Sequence, residues 1–317
     1  MVQPASRIGV ALGDPDYEFD AIMGAVRLSD GTIVVGEMST QEIRFYGPDG
    51  RLSHRQGREG QGPGEYVQVR FLRACGGDRV WVYDTQLRRL TVLGPDGSVE
   101  AMHDGPSPDG TGGPYDLECD DRGRFIAASW AQGEIEAIRR GQSGPFRGTQ
   151  VVVIADRRGA VRDTIGVFPS GERYLFLRPD GSPGGTGPRQ LGPETHVAIG
   201  SGRAFVGDGA RPEVHVFEGP GRLDTLPLPL DAPEVTRDDL DRLLETRLAG
   251  TTDEADGRRD RQFHADYDYP ERFPYFSDLK VDETGLLWVR EYPRPGATDA
   301  DWLVVHPESG HAVARVR

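Results

Sequence analysis

Lysine is nearly missing from this chain. Of its 37 basic residues one is a lysine, Lys280, and the rest are arginine. A glycine-rich phosphate loop requires a lysine followed by serine or threonine at the mouth of a helix. Val281 follows Lys280, so that chemistry is excluded. Excess positive charge is missing too: 51 acidic residues give a net charge of -14, which repels nucleic acid and anionic membrane surfaces. No apolar run approaches the roughly 18–20 residues of a membrane-spanning helix. The opening residues, MVQPASRIGV, lack the charged-then-apolar pattern of a secretory signal. Cysteine is scarce, and two residues, Cys75 and Cys119, are too few for a disulfide framework. Catalytic signatures are absent as well. The histidines, His54, His103, His196, His215, His264, His306 and His311, show no H-E-x-x-H spacing, and there is no G-x-S-x-G elbow.

What the chain has is glycine, proline and strands. It carries 43 glycines and 24 prolines, with a mean hydropathy of -0.52, a composition that favours many short strands joined by turns. The turn signals recur. LSDGTIVVGE (28–37) and RFYGPDGRLSHRQ (44–56) are followed, about 47 residues on, by GGDRVWVYD (76–84) and RLTVLGPDGSVEAMH (89–103). Further copies are DDRGRFIAASW with QVVVIADRRGAVRDTIG, GSGRAFVGD with EVHVFEGPGRLDTLPL, and DETGLLWVRE with DWLVVHPESGHAVARV. Each is preceded by one more strand-like segment: FDAIMGAVRL, YVQVRFLRA, YDLEC, ETHVAIG and FSDLKVD. A four-stranded unit of about 45 residues, repeated, is the signature of a β-propeller, because the two apolar faces of such a sheet are covered only by neighbouring blades. The expected class is all-β, a propeller of four-stranded blades, forming a single domain over 1–317. Segments near 33–36, 80–83, 125–128, 204–206 and 287–289 are expected as second strands of successive blades. Cys75 and Cys119 occupy similar places in successive units, so the ring is expected to hold them apart as two small buried thiols.

The stretch GREGQGPGEY (57–66) sits between two strand-like segments and reads as the corner from one blade to the next. Gly62 and Gly64 permit positive φ there, Pro63 stiffens the turn, and Glu65 accepts hydrogen bonds from backbone amides that a buried corner would leave unpaired.

This corner, with the VWVYDTQLRRLTVLGPDG that follows it and the late stretch FPYFSDLKVDETGLLWVREY, resembles the six-bladed β-propeller family related to NHL repeats, in its bacterial extracytoplasmic form. The resemblance runs from Ile8 to Val316. It implies six blades where five are fully visible, and an extracytoplasmic location, periplasmic or lipid-anchored. It supplies no catalytic motif. A sixth blade would draw a strand from Ser6–Leu12, with its other strands after Arg317, from a partner chain by strand exchange, or replaced by closure with five blades.

Residues 232–276 break the rhythm. A helix is expected over 236–249, with Thr236 as N-cap, Asp239 at the capping-box position, and Leu240, Leu243, Leu244 and Leu248 on one face. TTDEADGRRDRQ reads as a charged, mobile segment. FHADYDYPERFPYFSD is dense in aromatics and reads as a loop at the channel mouth. Its candidate ligand-binding residues are His264, Tyr267, Tyr269 and Tyr275, joined by Arg290; the alternative is that the phenylalanines anchor the loop in a core. Strand-end carboxylates, Asp84, Asp116, Asp208, Asp278 and Glu291, are candidates for Ca²⁺, or are simply solvated. Three functions stay open: a non-catalytic binding or scaffold propeller for a small ligand or protein partner; a metal-dependent enzyme of the lactonase or lyase type, by fold analogy alone; and a structural subunit of a larger assembly.

Overall fold

The computed structural model describes residues 7–317 apart from 11, 109, 111–112, 120–122, 130–132, 142, 179, 252 and 283; of residues 116, 134 and 135 it describes the backbone only. Two compact units share the chain: Met1–Trp130 with Val151–Gly166, and Ala131–Gln150 with Val167–Arg317.

In the first unit, β1 (Ile22–Arg27), β2 (Ile33–Glu37), β3 (Glu42–Tyr46) and β4 (Leu52–Gln56) form one antiparallel meander. A second follows in β5 (Val69–Ala74), β6 (Val80–Asp84), β7 (Arg89–Leu93) and β8 (Val99–Asp104). Then come β9 (Pro114–Cys119) and β10 (Phe125–Ser129), with residues 152–155 of the next strand paired to β10. The turn chemistry repeats bond for bond. Gly47 N donates to Arg51 O at 2.8 Å and Gly50 N to Gly47 O at 2.8 Å; Gly94 and Gly97 repeat this toward Ser98 and Gly94, both at 2.9 Å. Gly50 and Gly97 sit at φ 78° and 76°, the left-handed region that only glycine enters cheaply. Asp49 and Asp96 accept from the amides two residues on.

Burial follows from position in the sheet. The inner strand β6 is buried at every residue, whereas β4 alternates between half-buried and exposed. A strand covered on both faces reads as a continuous apolar run, and a rim strand alternates. One core packs the first meander on the second through Val34, Phe45, Tyr66, Leu72 and Val82. Another packs the second on β9 and β10 through Trp81, Tyr83, Leu117 and Phe125.

After α1 (Glu134–Arg140), two long strands, β11 (Gly144–Ala155) and β12 (Val161–Leu177), contribute residues to both units. The repeat foresaw shorter strands here. In the second unit β12 pairs with β13 (Pro183–Pro188). Two more meanders follow: β14 (Thr195–Gly200), β15 (Arg203–Asp208), β16 (Glu213–Phe217) and β17 (Arg222–Pro227); then β18 (Phe276–Val281), β19 (Leu287–Glu291), β20 (Trp302–Val305) and β21 (Ala312–Val316). Phe205, Val214, Phe276, Leu279 and Leu303 lie in the core that packs these two together. The fold is all-β, with several four-stranded antiparallel sheets built as propeller blades are built. The five segments expected as second strands are β2, β6, β10, β15 and β19, each in a different sheet.

Between β17 and β18 lie α2 (Arg237–Ala249) and α3 (Glu254–Asp266). Thr236 caps α2 with a full capping box to Asp239, and the four leucines are its half-buried face. The segment expected to be mobile is helical instead. Asp253 accepts from the Ala255 and Asp256 amides at the start of α3, and Arg247 of α2 reaches Asp260 at 2.6 Å. Among the described residues, no helix is long and apolar enough to cross a membrane.

The cysteines also differ from expectation. Cys75 and Cys119 form a disulfide, with Cα atoms 6.0 Å apart. Equivalent places in successive units are neighbours, because the first strands of consecutive blades pack side by side. Arg73 of β5 pairs with Glu118 of β9 at 2.5 Å along the same seam. In the segment proposed for a sixth blade, Val10 forms an isolated parallel bridge with Glu18. Ser6 and Ala11 lie outside the described residues.

Candidate functional site

The corner is built around Glu65 and Tyr66. Glu65 accepts from Gly62 N at 2.8 Å and pairs with Arg58 at 2.6 Å, and these hydrogen bonds hold its carboxyl below the usual range. Tyr66 is fully buried and its hydroxyl meets Gln56 Oε1 at 3.1 Å. Gly64 sits at φ 71°; Gly62 has no positive φ. Pro63 follows Gly62 in the turn that brings Glu65 N to Gly62 O at 3.1 Å.

The strand-end acids have partners. Asp84, at the end of β6, is fully buried and accepts from Val67 N, Gln68 N and Leu87 N. Glu37 closes β2 the same way, taking the Asp20 and Ala21 amides. Burial works against its charge, but these bonds and Ser39 win and hold the carboxyl below its ordinary value. Asp208 takes a two-pronged contact from Arg147, at 2.6 and 3.1 Å. Asp278 pairs with Lys280 at 3.4 Å and Glu291 with Arg315 at 3.0 Å. The side chain of Asp116 is outside the described residues. Among the described residues, no three histidine, cysteine or acidic side chains gather as a metal site. Asp84 and Glu37 hold strand ends, and Asp208, Asp278 and Glu291 are paired with basic side chains.

The aromatics predicted from the insertion split into two groups. His264, in the last turn of α3, meets the Tyr269 hydroxyl at 2.7 Å. Tyr267 stacks on Tyr174 at 4.4 Å and packs beside Phe176, Phe263 and Tyr269. Burial pushes the Tyr269 hydroxyl up to about 12, with neighbouring Tyr267 adding to it. Tyr275 lies apart, against the core, with its amide on Gly209 O. The cluster supports the chain between β13 and β14. Gln190 N donates to the Tyr267 hydroxyl at 2.8 Å, and the Tyr269 hydroxyl donates to Gln190 Oε1 at 3.2 Å.

That supported chain is one wall of a cavity of about 440 Å³. Arg189, Gln190, Leu191 and Glu194 come from it; His196 from β14; Phe276 and Ser277 from β18; Arg290, Tyr292 and Arg294 from the end of β19 and beyond; Leu243 from α2. Leu191 sits at φ 60° while almost fully buried, a strained backbone for a bulky residue. His196 pairs in register with Gly207, where a Cβ would come within 2.7 Å of the Phe276 ring. The missing side chain lets Phe276 lie 5.9 Å from the imidazole, ring centre to ring centre.

Charge in this wall is unevenly satisfied. Arg189 is bound to Glu172 at 2.9 Å and to the Asp268 carbonyl at 3.0 Å. Arg294 pairs with Asp239 at 2.5 Å and lies over Phe273. Among the described residues Arg290 has no such partner, and its Nε is buried without a hydrogen bond. Burial holds the His196 imidazole below its ordinary value against the charges of Glu194, Asp278 and Asp208. Burial, aided by Glu194, pushes the Tyr292 hydroxyl up to about 12. Of the five predicted ligand residues only Arg290 lines the cavity; His264, Tyr267 and Tyr269 stand behind its wall. Sequence reasoning passed over Glu194, His196 and Tyr292. The signal was GPETH (192–196), a glycine-proline-acid corner before a first strand, related to GPGEY (62–66).

No family model matches the chain, and no curated protein matches it. Solved structures with some likeness include a protein of Bacteroides fragilis described as exported, 12% identical over 98% of this chain and 75% of that one, TM-score 0.49. Virginiamycin B lyase from Staphylococcus aureus is 11% identical over 93% and 69%, TM-score 0.44. A chain of a nidogen/laminin complex is 11% identical over 93% and 79%, TM-score 0.46. At these values none transfers a ligand or reaction to this chain.

Proposed function

We propose that this chain is a non-catalytic binding propeller, a single domain of the six-bladed NHL-related kind, whose ligand site is the cavity around Arg290. The observation that carries this reading is the guanidinium itself. A buried Nε without a partner is costly, and a concave site with few convergent polar groups is where a ligand supplies what the protein leaves open. The ligand group that satisfies it is an anion, which a guanidinium holds by charge-assisted hydrogen bonds. His264, Tyr267 and Tyr269 serve the site from behind, by fixing Gln190. An extracytoplasmic location is supported by the Cys75–Cys119 disulfide, since such bonds persist in oxidising compartments.

The test is a thermal-shift screen of small carboxylates and phosphate against the wild type and Arg290→Gln. Expected is a melting rise for at least one anion that Arg290→Gln abolishes, with the free variant melting as the wild type does. Equal rises in both proteins, or none in either, overturn the reading.

A catalytic reading has one observation in its favour. His196 and Tyr292 line the same cavity beside Glu194, so one wall holds groups able to accept and to donate a proton. Mass spectrometry of the bound anion after incubation decides it: a new product that His196→Gln fails to form supports an enzyme.

A further inference from the structure

We infer that the cavity takes a small zwitterion with an apolar body, its carboxylate on Arg290 and its ammonium on Glu194. The inference rests on the Arg290 reading above and adds a second anchor to it.

Charge accounting around the cavity leaves two groups over. Arg189 and Arg294 are each neutralised by an acid of their own, Glu172 and Asp239. Glu194 and Arg290 form no ion pair and no side-chain hydrogen bond among the described residues, although both line the same cavity. They do not neutralise each other either, so their charged atoms stand more than an ion-pair distance apart. An unspent pair of opposite charges in one wall is the complement of a molecule carrying both signs.

The related corner shows what Glu194 would do if its role were structural. Glu65 in GPGEY is clamped by Gly62 N and Arg58. Glu194 in GPETH has neither kind of partner. The same kind of acid, at the same kind of corner, is tied down in one place and lines a cavity in the other. Its negative charge still reaches the site, because it acts on both His196 and Tyr292. The remaining lining includes Leu191, Leu243 and Phe276, an apolar surface for the body of the ligand. A volume of about 440 Å³ exceeds what a single free amino acid fills and suits a short peptide with free termini. Both sources share the chemistry, and the volume favours the peptide.

The test begins with a thermal-shift screen of free amino acids and of dipeptides with free termini, followed by calorimetry on the best binder. That binder is compared with its N-acetylated and C-amidated forms on the wild type, Glu194→Gln and Arg290→Gln. Expected is at least tenfold weaker binding on blocking either terminus. Glu194→Gln should weaken the free form at least tenfold and leave the N-acetyl form unchanged. Arg290→Gln should weaken both. Neither side chain holds a hydrogen bond or ion pair among the described residues, so both variants should keep the fold and melt close to the wild type. A best binder that is a single amino acid keeps the zwitterion and moves the ligand class from peptide to amino acid. If the N-acetyl form binds as tightly as the free form, or Glu194→Gln changes nothing, the zwitterion fails while the anion site stands. If no zwitterion binds, the zwitterion fails and the anion screen alone decides the Arg290 site; if Arg290→Gln binds normally, both fail.

Discussion

Gly62 and Gly64 stand two residues apart in one corner under different constraints. A Cβ on Gly64 would meet Gln56 Nε2 at 2.5 Å with φ at 71°; one on Gly62 would meet only the end of the Glu65 side chain, at 2.9 Å. Gly64→Val is therefore expected to cost roughly 1–3 kcal/mol, and Gly62→Val less, as denaturant melts of the two variants will show. The buried histidines make a second prediction. His54, stacked on Phe45 with Nε2 unpaired, and His196 both sit below the ordinary 6.5, mainly through burial. The unfolded chain then binds more protons than the folded one just below pH 6.5, so stability is full above that pH and declines as pH falls through it. Glu37, held below 4.5, adds its own loss only under about pH 4.5. Melting temperature against pH should thus fall in two stages, and His54→Gln with His196→Gln should flatten the first. At this scale the sequence showed acids at strand ends but not their roles. Partners such as Arg147 for Asp208 lie 61 residues away, and no local pattern announces them.

At the scale of elements, the capping box of α2 was legible because all its parts lie within four residues. Thr236→Ala should cost about 1 kcal/mol. Asp239→Ala should cost more, since Asp239 is 2% exposed and also holds Arg294; urea melts will rank the two. Second strands were legible because a tight turn precedes each and their burial on both faces demands continuous apolar residues. Helix α3 was not. Gly257 and a run of charges disguise it, and what sustains it is pairing: Asp253 at its cap, Glu254 with Arg258, Asp256 with Arg259. The aromatic segment after it was recognised as unusual. Its role as a brace behind the wall was hidden, because Gln190 and Tyr174 join it from the chain before β14.

For the whole molecule, the repeat gave the architecture and was then misapplied to the cysteines. Similar places in successive blades are adjacent, so the repeat that was taken to separate Cys75 from Cys119 is what brings them together. The bond closes a 44-residue separation; chain entropy puts its worth at ~4 kcal/mol. The Cys75→Ala, Cys119→Ala double variant should lose an amount of that order in guanidinium melts. The cavity was illegible for the opposite reason: its lining runs from Pro188 to Pro295 across five elements and two loops, and no single stretch contains it. The disulfide also has an optical consequence. Trp81 donates its indole Nε1–H to the Cys75 carbonyl at 3.2 Å, which sets an excited indole beside a sulfur–sulfur bond, an efficient acceptor of its electron. Emission from Trp81 should be dim in the oxidised protein and brighten on reduction without any shift in wavelength while the fold persists.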